Sequence, residues 1–372
     1  MSSSSITASA PFPPDNDPIA RARDWIANGR AGDAAVLLEN ILAHGRGGLL
    51  TRLTRVEALV AAGRPGEAVA AAREAAQLAP DAAPAAICLG EALLASENLP
   101  AAIAEFQRAL RLEPESAQAR YQLGCAWLAA GEAGKALESF DSISAAEKPS
   151  GFDARRDEAR AAQRLPRADA RYVRHLFDQF SADYDARMLG QLGYTAPPIL
   201  RQLFELFGRP IERRYAILDL GCGTGLSGEA FKDLALQLEG VDLSPAMLAK
   251  AQARDIYDTL ERADIESALH AGRSRYDLII AADTLVYLGD LRIVFAGAAA
   301  RLAAGGLLLF TVEQSKDADF ELGPKRRWRH AERYLREETE RVGLDVAGLI
   351  ACNPRSEAGI PVEGLAVALE KA

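Results

Sequence analysis

A short apolar run leads directly into a turn that contains three alternating glycines. The run covers residues 216–220, and the glycines are Gly221, Gly223 and Gly225. A second apolar run ends at Asp242, about 20 residues after the first glycine. A strand that stops at a glycine turn, followed by a strand that ends in a carboxylate, is typical of a nucleoside-binding βαβ unit. The sequence therefore predicts an α/β domain whose ligand carries a ribose.

Length, charge and cysteine content narrow the class of protein. The chain has 372 residues, more than one average domain needs, so two domains are expected. Its formal net charge of -9 argues against a protein that wraps nucleic acid through phosphate contacts. The cysteines form no CxxC pair, which predicts neither a disulfide framework nor a zinc site. We therefore expect a cytoplasmic protein with no metal, no nucleic-acid partner and no membrane partner.

Two segments resemble membrane-targeting or membrane-spanning sequences only superficially. Residues 1–14 are rich in Ser and Pro and lack the basic and apolar regions of a secretory signal, so they predict a disordered tail. Residues 291–312 are largely apolar, but Arg292, Arg301 and a pair of glycines interrupt them. A helix, a glycine turn and a buried strand explain this segment better than a membrane span.

The first half of the chain repeats with a period of 34 residues. The matching positions are Ala34, Ala68, Ala102 and Ala136, with the pairs Gly90 and Gly124, Phe106 and Phe140, and Pro80 and Pro114. This pattern resembles the tetratricopeptide repeat, in which small residues let two antiparallel helices approach each other. The alternative is an alanine-rich bundle with accidental spacing, and successive matches at one period argue against it.

The resemblance implies about four repeats over residues 15–150, stacked as an α-solenoid with a concave groove. Such grooves commonly hold a peptide or a partner protein. The alternative is that the array only stabilises or dimerises the rest of the chain. Residues 151–170 are rich in Ala, Arg and Asp and predict a helical linker.

From residue 171 onwards, apolar runs alternate with segments of helical pattern. The predicted parallel strands are 216–220, 236–241, 278–282 and 306–312, the predicted helices are 245–256 and 291–303, and a final strand pair is expected at 345–350 and 365–369. This arrangement resembles the Rossmann-like, seven-stranded fold of class I S-adenosylmethionine-dependent methyltransferases. The resemblance covers residues 171–372, with cap helices in 171–210.

The glycine turn also fits GxGxxG, from Gly223 to Gly228, which is the fingerprint of nicotinamide dinucleotide enzymes. Three features favour the methyl donor. Asp219 precedes the turn, where an anion would repel a pyrophosphate but suit the ammonium of a methionyl group. Asp242 leads directly into a helix start. Asp264 lies where the methyltransferase family places an acid against the adenine amino group.

The resemblance implies a role for each residue of the donor site. The residues are Asp219, Gly221, Gly223 and Gly225 for the methionyl end, Asp242 for the ribose, Leu243 and Met247 beside adenine, Asp264 and Ile265 at the adenine edge, and Ala282 beside the sulfonium. Cys222 is interpreted as a small turn residue and not as a nucleophile.

Residues 173–185 resemble the cap helix of small-molecule methyltransferases, and the chain beyond its tail resembles a bacterial group of predicted repeat-containing methyltransferases. His330 is the candidate general base, because the pKa of histidine suits proton removal near neutrality. Tyr184 is expected to line the acceptor pocket or to contact the sulfonium. For His330 the alternative is a partly exposed helix position, and for Tyr184 it is ordinary packing. The basic run 325–329 is either a solvated face or a lid that steers an anionic substrate.

The sequence as a whole predicts a methyltransferase that uses S-adenosylmethionine to methylate an O or N atom of a peptide, a protein or a small metabolite. The chain lacks the Asn/Asp-Pro-Pro-aromatic tetrad of enzymes that methylate planar nitrogens in nucleic acids. Two alternatives remain. One is a small-molecule enzyme whose repeats only mediate dimerisation, and the other is a non-catalytic scaffold that binds the donor.

Overall fold

Residues 17–323 and 325–372 are described by the computed structural model. Their contacts divide the chain into two units, one that ends at Gln163 and one that runs from Arg164 to Ala372. The predicted disordered tail, residues 1–14, lies outside the described residues. Within the described ranges, no helix has both the length and the apolar character needed to cross a membrane.

In the described part of the first unit, nine helices follow one another. They are α1 (Pro18–Ala27), α2 (Ala31–Ala43), α3 (Leu49–Ala61), α4 (Pro65–Leu78), α5 (Ala83–Ala95), α6 (Leu99–Leu112), α7 (Ala117–Ala129), α8 (Ala133–Asp141) and α9 (Phe152–Arg164). From α1 to α8, each helix packs on the next. This is the stacked-hairpin architecture that the period of 34 residues predicts.

Close packing within each hairpin explains the period. The four alanines that define it are completely buried. Gly90 in α5 lies against Phe106 in α6, and a Cβ on Gly90 would come within 2.5 Å of the Phe106 ring. Gly124 and Phe140 repeat this contact one period later. The small residues are therefore needed where a large ring from the second helix packs on the first helix.

The predicted helical linker over residues 151–170 is helical only in its first part. α9 buries Phe152, whose ring centroid lies 5.8 Å from that of Phe140 in α8, so this helix packs on the last repeat. α9 ends at Arg164, two residues before Pro166. Proline disfavours helical conformation in the residue before it and has no N–H to donate, so the helix ends there.

The second unit is built around one large sheet. The strands are β1 (Tyr215–Leu220), β2 (Ala235–Asp242), β3 (Thr259–Arg262), β4 (Tyr276–Ala281), β5 (Leu302–Gln314), β6 (Phe320–Leu322), β7 (Trp328–His330), β8 (Leu344–Cys352), β9 (Ser356–Glu357), β10 (Ile360–Pro361) and β11 (Gly364–Lys371). The order in the sheet is β3-β2-β1-β4-β5-β11-β8. Strands β1 to β5 pair in parallel, and β11 pairs antiparallel to both β5 and β8. The hairpin of β6 and β7 extends the sheet beside the end of β5, while β9 and β10 pair separately.

Helices cover both faces of this sheet. Short turns join the helices in the segment that precedes the first strand. The helices are α10 (Ala170–Phe180), α11 (Tyr184–Ala186), α12 (Ala196–Glu205), α13 (Leu226–Phe231), α14 (Pro245–Ala253), α15 (Ile265–Ala271), α16 (Arg292–Arg301) and α17 (Glu332–Glu340). Residues 170–194, which contain α10, α11 and the turns around them, are called the cap segment below.

Burial on two faces explains why the central strands were predictable. Leu278, Ile279 and Ile280 of β4 are completely buried, so consecutive apolar residues mark the strand. β3 lies at the sheet edge, and three of its four residues are exposed, which is why no apolar run marked it. The hairpin of β6 and β7 was not predicted either, because no apolar run marks these two short strands.

Candidate active site

The turn after β1 has a backbone conformation that favours glycine. Gly221, Gly223 and Gly225 have φ values of 69°, 55° and 92°, all in the left-handed region. A Cβ on Gly221 would collide with the side chain of Thr284, whereas a Cβ on Gly223 would meet no heavy atom within 4 Å. The turn therefore exposes bare backbone, and the space beside Gly223 is open.

A first cavity lies at the carboxyl ends of β1, β2 and β4. The glycine turn, the starts of α14 and α15, the loop after β4 and the cap segment enclose it. Most of the predicted site residues line this cavity. They are Tyr184, Gly221, Gly223, Asp242, Leu243, Asp264, Ile265 and Ala282.

Three residues predicted to bind the cofactor lie outside this lining. Gly225 precedes α13, and a Cβ there would lie 2.9 Å from Cδ of Arg254. Met247 is completely buried within α14, where its N–H donates to Oγ of Ser244 at 3.0 Å. The third residue is Asp219, at the end of β1. These residues shape the turn and the strand ends without facing the cavity.

Asp219 is a buried acid with an unusual environment. Its Oδ2 accepts a hydrogen bond of 2.7 Å from the Tyr257 hydroxyl, and its Oδ1 has no hydrogen-bond partner among the described residues. Burial raises the pKa of Asp219 to about 7, and the charge of Asp242 adds to this, while the Tyr257 hydroxyl opposes it. The carboxyl group therefore holds its proton up to a higher pH than an ordinary aspartate.

Asp242 ends β2 with its carboxylate in the first cavity. Its Oδ2 accepts from the N–H of Gly223 at 2.9 Å, and its Oδ1 accepts from the N–H of Ser244 at 2.8 Å. Burial raises the pKa of Asp242, although these backbone N–H groups oppose the shift. Each oxygen keeps a further lone pair, so the carboxylate is oriented by the backbone and still able to accept hydroxyl hydrogen bonds.

Asp264 caps α15, because its Oδ1 accepts from the N–H of Glu266 at 3.1 Å. Its Oδ2 is paired with Arg167, which also pairs with Glu266. Arg167 was not among the predicted site residues, because a single arginine within a charged segment gives no signal of a site.

The segment around Arg167 forms part of the cavity wall. Ala168 N–H donates to the carbonyl of Tyr287 at 2.8 Å, and Gly289 N–H donates to the carbonyl of Pro166 at 2.7 Å. Arg167 and Leu288 form an antiparallel bridge between these two bonds. The end of the predicted linker is thus fixed to the loop after β4, and both Arg167 and Ala168 line the first cavity.

A second cavity adjoins the first and shares a wall with it. Phe177, Tyr184, Asp283 and Tyr287 line both cavities. The ring centroid of Phe177 lies 6.0 Å from that of Tyr184 and 5.6 Å from that of Tyr287, with edge-to-face geometry in both pairs. A ligand in each cavity would therefore meet the other at an aromatic wall.

Asp283 follows β4 in a strained backbone conformation, with a φ of 56°. Its N–H donates to Oγ1 of Thr311 at 2.8 Å, and its carboxylate pairs with Arg355. The side chain of Arg355 is completely buried and also pairs with Glu313. Strained non-glycine residues of this kind concentrate at functional sites, and here the strain lies at the shared wall.

His330 is the last residue of β7 and not a helix residue. It is completely buried, its Nε2 lies 3.0 Å from the carbonyl oxygen of Gly289, and its ring stacks on Tyr334. Burial lowers the pKa of His330 to about 4. The described lining of both cavities excludes His330, so the structure does not bring this histidine to the place where a general base would act.

Comparison with known families agrees with this architecture. Residues 218–308 match the family described as Methyltransferase domain, and residues 53–110 and 87–152 match the family described as Tetratricopeptide repeat. The chain therefore contains a class I S-adenosylmethionine-dependent methyltransferase domain preceded by tetratricopeptide repeats. The family and the fold class expected from the sequence are confirmed.

Individual relatives share only part of their length with this chain. It is 39% identical over 108 residues to human methyltransferase-like protein 27, which is 28% of this chain and 42% of that protein. It is 31% identical over 140 residues to a malonyl-[acyl-carrier protein] O-methyltransferase of Enterobacter lignolyticus, which is 36% of this chain and 54% of the relative. The chain thus spans about half the length of these curated relatives.

Solved methyltransferase structures also align with the chain. The magnesium protoporphyrin IX methyltransferase of Synechocystis PCC 6803, solved with the methyl donor bound, is 17% identical, covers 55% of this chain and 97% of its own, and gives a TM-score of 0.43. An S-adenosylmethionine-dependent methyltransferase from Mesorhizobium loti is 23% identical, covers 47% of this chain and 96% of its own, and gives a TM-score of 0.38.

The first cavity fits S-adenosylmethionine better than a dinucleotide. Of the three acids in its described lining, Asp264 is paired with Arg167 and Asp283 with Arg355, so Asp242 is the one without a cationic partner among the described residues. This excess of negative charge favours a ligand with a sulfonium and an ammonium and disfavours a pyrophosphate. Ile265 adds an apolar surface on which a nucleobase can pack.

Proposed function

We propose that the second unit transfers the methyl group of S-adenosylmethionine to an O or N atom of an acceptor that occupies the second cavity. The observation that carries this proposal is the wall that the two cavities share. A donor bound in the first cavity supplies a methyl group on a positively charged sulfur. The chain must then hold donor and acceptor in line across the wall and exclude water.

The donor residues have distinct tasks in this proposal. Asp242, which is fixed by two backbone N–H groups, accepts hydrogen bonds from the ribose hydroxyls. The open backbone at Gly223 leaves room for the methionyl end. Leu243 and Ile265 pack on adenine. Tyr184, at the shared wall, offers an aromatic face to the cationic sulfur.

The cap segment is held over the first cavity by polar contacts. Ser244 Oγ donates to Asp178 at 2.5 Å, Lys250 Nζ donates to the carbonyl of Ala182 at 2.7 Å, and Asp185 pairs with Arg254. Because these contacts join the cap to α14 and to the residues on either side of it, they hold the cap over the donor cavity. Loop closure of this kind excludes water from the reaction.

The position of the second cavity supports a small acceptor, or a short side chain, as the group that is methylated. The malonyl-[acyl-carrier protein] O-methyltransferase among the relatives is by its name an O-methyltransferase, which supports oxygen as the acceptor atom. The tetratricopeptide repeats support a partner polypeptide, which either carries the acceptor or docks beside it.

Two measurements on the full chain test the proposal. Calorimetry with S-adenosylhomocysteine should show binding at one site, and NADH should give no heat. A labelled methyl group should then be transferred to acceptors from a chemically broad panel. Heat with NADH and none with S-adenosylhomocysteine would overturn the donor assignment. Donor binding without transfer to any acceptor would instead support the non-catalytic scaffold.

A further inference from the structure

The second cavity carries an excess of positive charge. Among its described lining residues, Arg187, Lys325 and Arg327 are cations and Asp283 is the one acid. Asp283 is already paired with Arg355, which does not line this cavity. The cavity therefore presents cations that no acid on its own wall neutralises.

Arg187 is the cation of the second cavity that takes part in the fewest ion pairs. Its guanidinium carbon lies 4.6 Å from the ring centroid of Phe180, and no carboxylate of the described ranges pairs with it. A guanidinium that stacks on an aromatic face keeps the N–H groups at its edge available. Arg187 can thus donate a pair of hydrogen bonds to an anionic ligand.

Lys325 and Arg327 both pair with Glu357, and Arg327 also lies 3.9 Å from Oε1 of Glu313. Nζ of Lys325 lies 2.5 Å from Oε2 of Glu357, and a terminal nitrogen of Arg327 lies 2.8 Å from Oε1. Nε of Arg355 lies 3.3 Å from the same Oε1. Three acids, Glu357, Glu313 and Asp283, thus lie among the cations Lys325, Arg327 and Arg355. Arg187 is the cation of the second cavity that has no acidic partner among the described residues. Arg327 also lines the second cavity together with Tyr287.

The rest of the second cavity is apolar. Leu176, Phe177, Phe180, Met188 and Leu192 form this part of the wall. An occupant that satisfies both parts must combine an anionic end with an apolar body.

We propose that the acceptor is an organic acid with an apolar body, and that its ionised carboxylate receives the methyl group. This inference rests on the methyl transfer proposed above. One carboxylate oxygen accepts hydrogen bonds from Arg187 and Arg327, while the other faces the wall of Phe177, Tyr184 and Tyr287. The product is a methyl ester.

The reaction balances without a proton transfer. A lone pair of the carboxylate oxygen forms the new O–C bond while the C–S bond breaks, and the electron pair of that bond remains on sulfur. The sulfonium and the carboxylate both become neutral. A carboxylate is already ionised near neutrality, so no general base is required.

The side chains around the cavity agree with this chemistry. Burial raises the pKa of Tyr184 and of Tyr287, so both hydroxyls remain protonated. His330 lies outside the lining of the second cavity. An amine acceptor would arrive protonated and would be repelled by the cations, and the one carboxylate of the described lining, Asp283, is already paired with Arg355.

Calorimetry on the full chain, saturated with S-adenosylhomocysteine, tests the specificity with three ligands of equal chain length. Octanoate should bind at least about tenfold more tightly than 1-octanol, and octylamine should not bind. The inference is overturned if the alcohol or the amine binds as tightly as octanoate, or if neither octanoate nor a peptide that contains glutamate binds. A peptide that contains glutamate, titrated in parallel, distinguishes a free acid from a polypeptide carboxylate, and preferential binding of either acid supports the inference.

The product gives a second readout. Labelled methyl transferred from S-adenosylmethionine to octanoate or to the peptide should be released as volatile methanol on mild alkaline treatment, because a methyl ester is base-labile. A methylated product that survives this treatment contradicts a carboxylate acceptor.

A pair of variants separates charge from folding. Arg187→Met should weaken octanoate binding by about tenfold and leave S-adenosylhomocysteine binding unchanged. Arg174→Met is the matched control, since Arg174 lies on α10 and lines neither cavity. Equal octanoate affinity in both variants rejects the role of Arg187. If the unaltered chain does not bind S-adenosylhomocysteine, the proposed function itself is wrong. If it binds S-adenosylhomocysteine but shows no preference for the carboxylate ligand, only this inference is wrong.

Discussion

Asp283 and Arg355 form an ion pair that joins the loop after β4 to the loop after β8, and the side chain of Arg355 is completely buried. The same guanidinium pairs with Glu313 at the end of β5. This single cation therefore compensates the negative charges of two acids beside the wall shared by the two cavities.

Removal of that cation should destabilise the second unit. Arg355→Met would leave Asp283 buried without its partner and would remove the nearest cation from Glu313, and a loss of about 3–5 kcal/mol of unfolding free energy is expected. Urea unfolding measures it. Lys316→Met is the control, because its pair with Glu363 is largely exposed and should contribute less than about 1 kcal/mol. Equal losses in the two variants would argue against a structural role for the buried cation.

Asp242→Asn should weaken S-adenosylhomocysteine binding by about 30-fold, because the amide loses a charged acceptor that contributes about 2 kcal/mol. The amide has nearly the same shape but can accept from only one of the N–H groups of Gly223 and Ser244, so the free energy of unfolding should also fall, by about 1–3 kcal/mol. Calorimetry measures the affinity. Asp233→Asn, at a surface pair with Arg201, should bind as the unaltered chain does. An Asp242→Asn variant of unaltered affinity would remove Asp242 from the ribose site.

Asp219 should make stability depend on pH in the absence of the donor. Its folded pKa of about 7 lies above the ordinary value of 3.8, so the folded state binds a proton that the unfolded state releases between these values. Stability should therefore be greatest below this window and fall as the pH rises through it, by at most about 1.4 kcal/mol per pH unit.

Asp219→Asn cannot ionise and should lack this slope while keeping the hydrogen bond from Tyr257. Urea unfolding of both proteins at several pH values measures the difference. Parallel stability curves for the two proteins would show that Asp219 does not titrate in this range.

Gly90→Ala should destabilise the first unit by about 1–3 kcal/mol, because the new methyl group overlaps the Phe106 ring. Gly66→Ala is a matched helical control, since a Cβ there meets no atom within 4 Å; it should be neutral or stabilising by up to about 1 kcal/mol. Thermal unfolding followed by circular dichroism compares the two. A stable Gly90→Ala protein would mean that Phe106 moves aside at little cost.

The sequence predicted those parts of the fold that depend on a local residue pattern. The alanine period marked the repeats, because each alanine lies at a helix crossing, and the apolar runs marked the strands that are buried on two faces. The turn of Gly221 and the acid at Asp242 located the first cavity for the same reason: their spacing is a local property of one βαβ unit.

Long-range contacts explain what the sequence could not show. His330 was predicted as a general base because the pKa of histidine suits that role. The hairpin of β6 and β7 instead places its side chain against Tyr334 and the carbonyl of Gly289. Arg167 and Arg355 meet their acids across large separations along the chain, so no spacing rule identifies them. The cationic lining of the second cavity is likewise assembled from the cap segment and from residues near β7.

The bonds that fix residues 166–168 to the loop after β4 also govern how the chain can be shortened. A fragment that begins after Ala168 would lose the tripeptide that supplies Arg167 and would open one side of the donor cavity. Its failure to bind donor would then be credited wrongly to the missing repeats. A truncated enzyme intended to test those repeats should therefore keep Pro166 and everything after it.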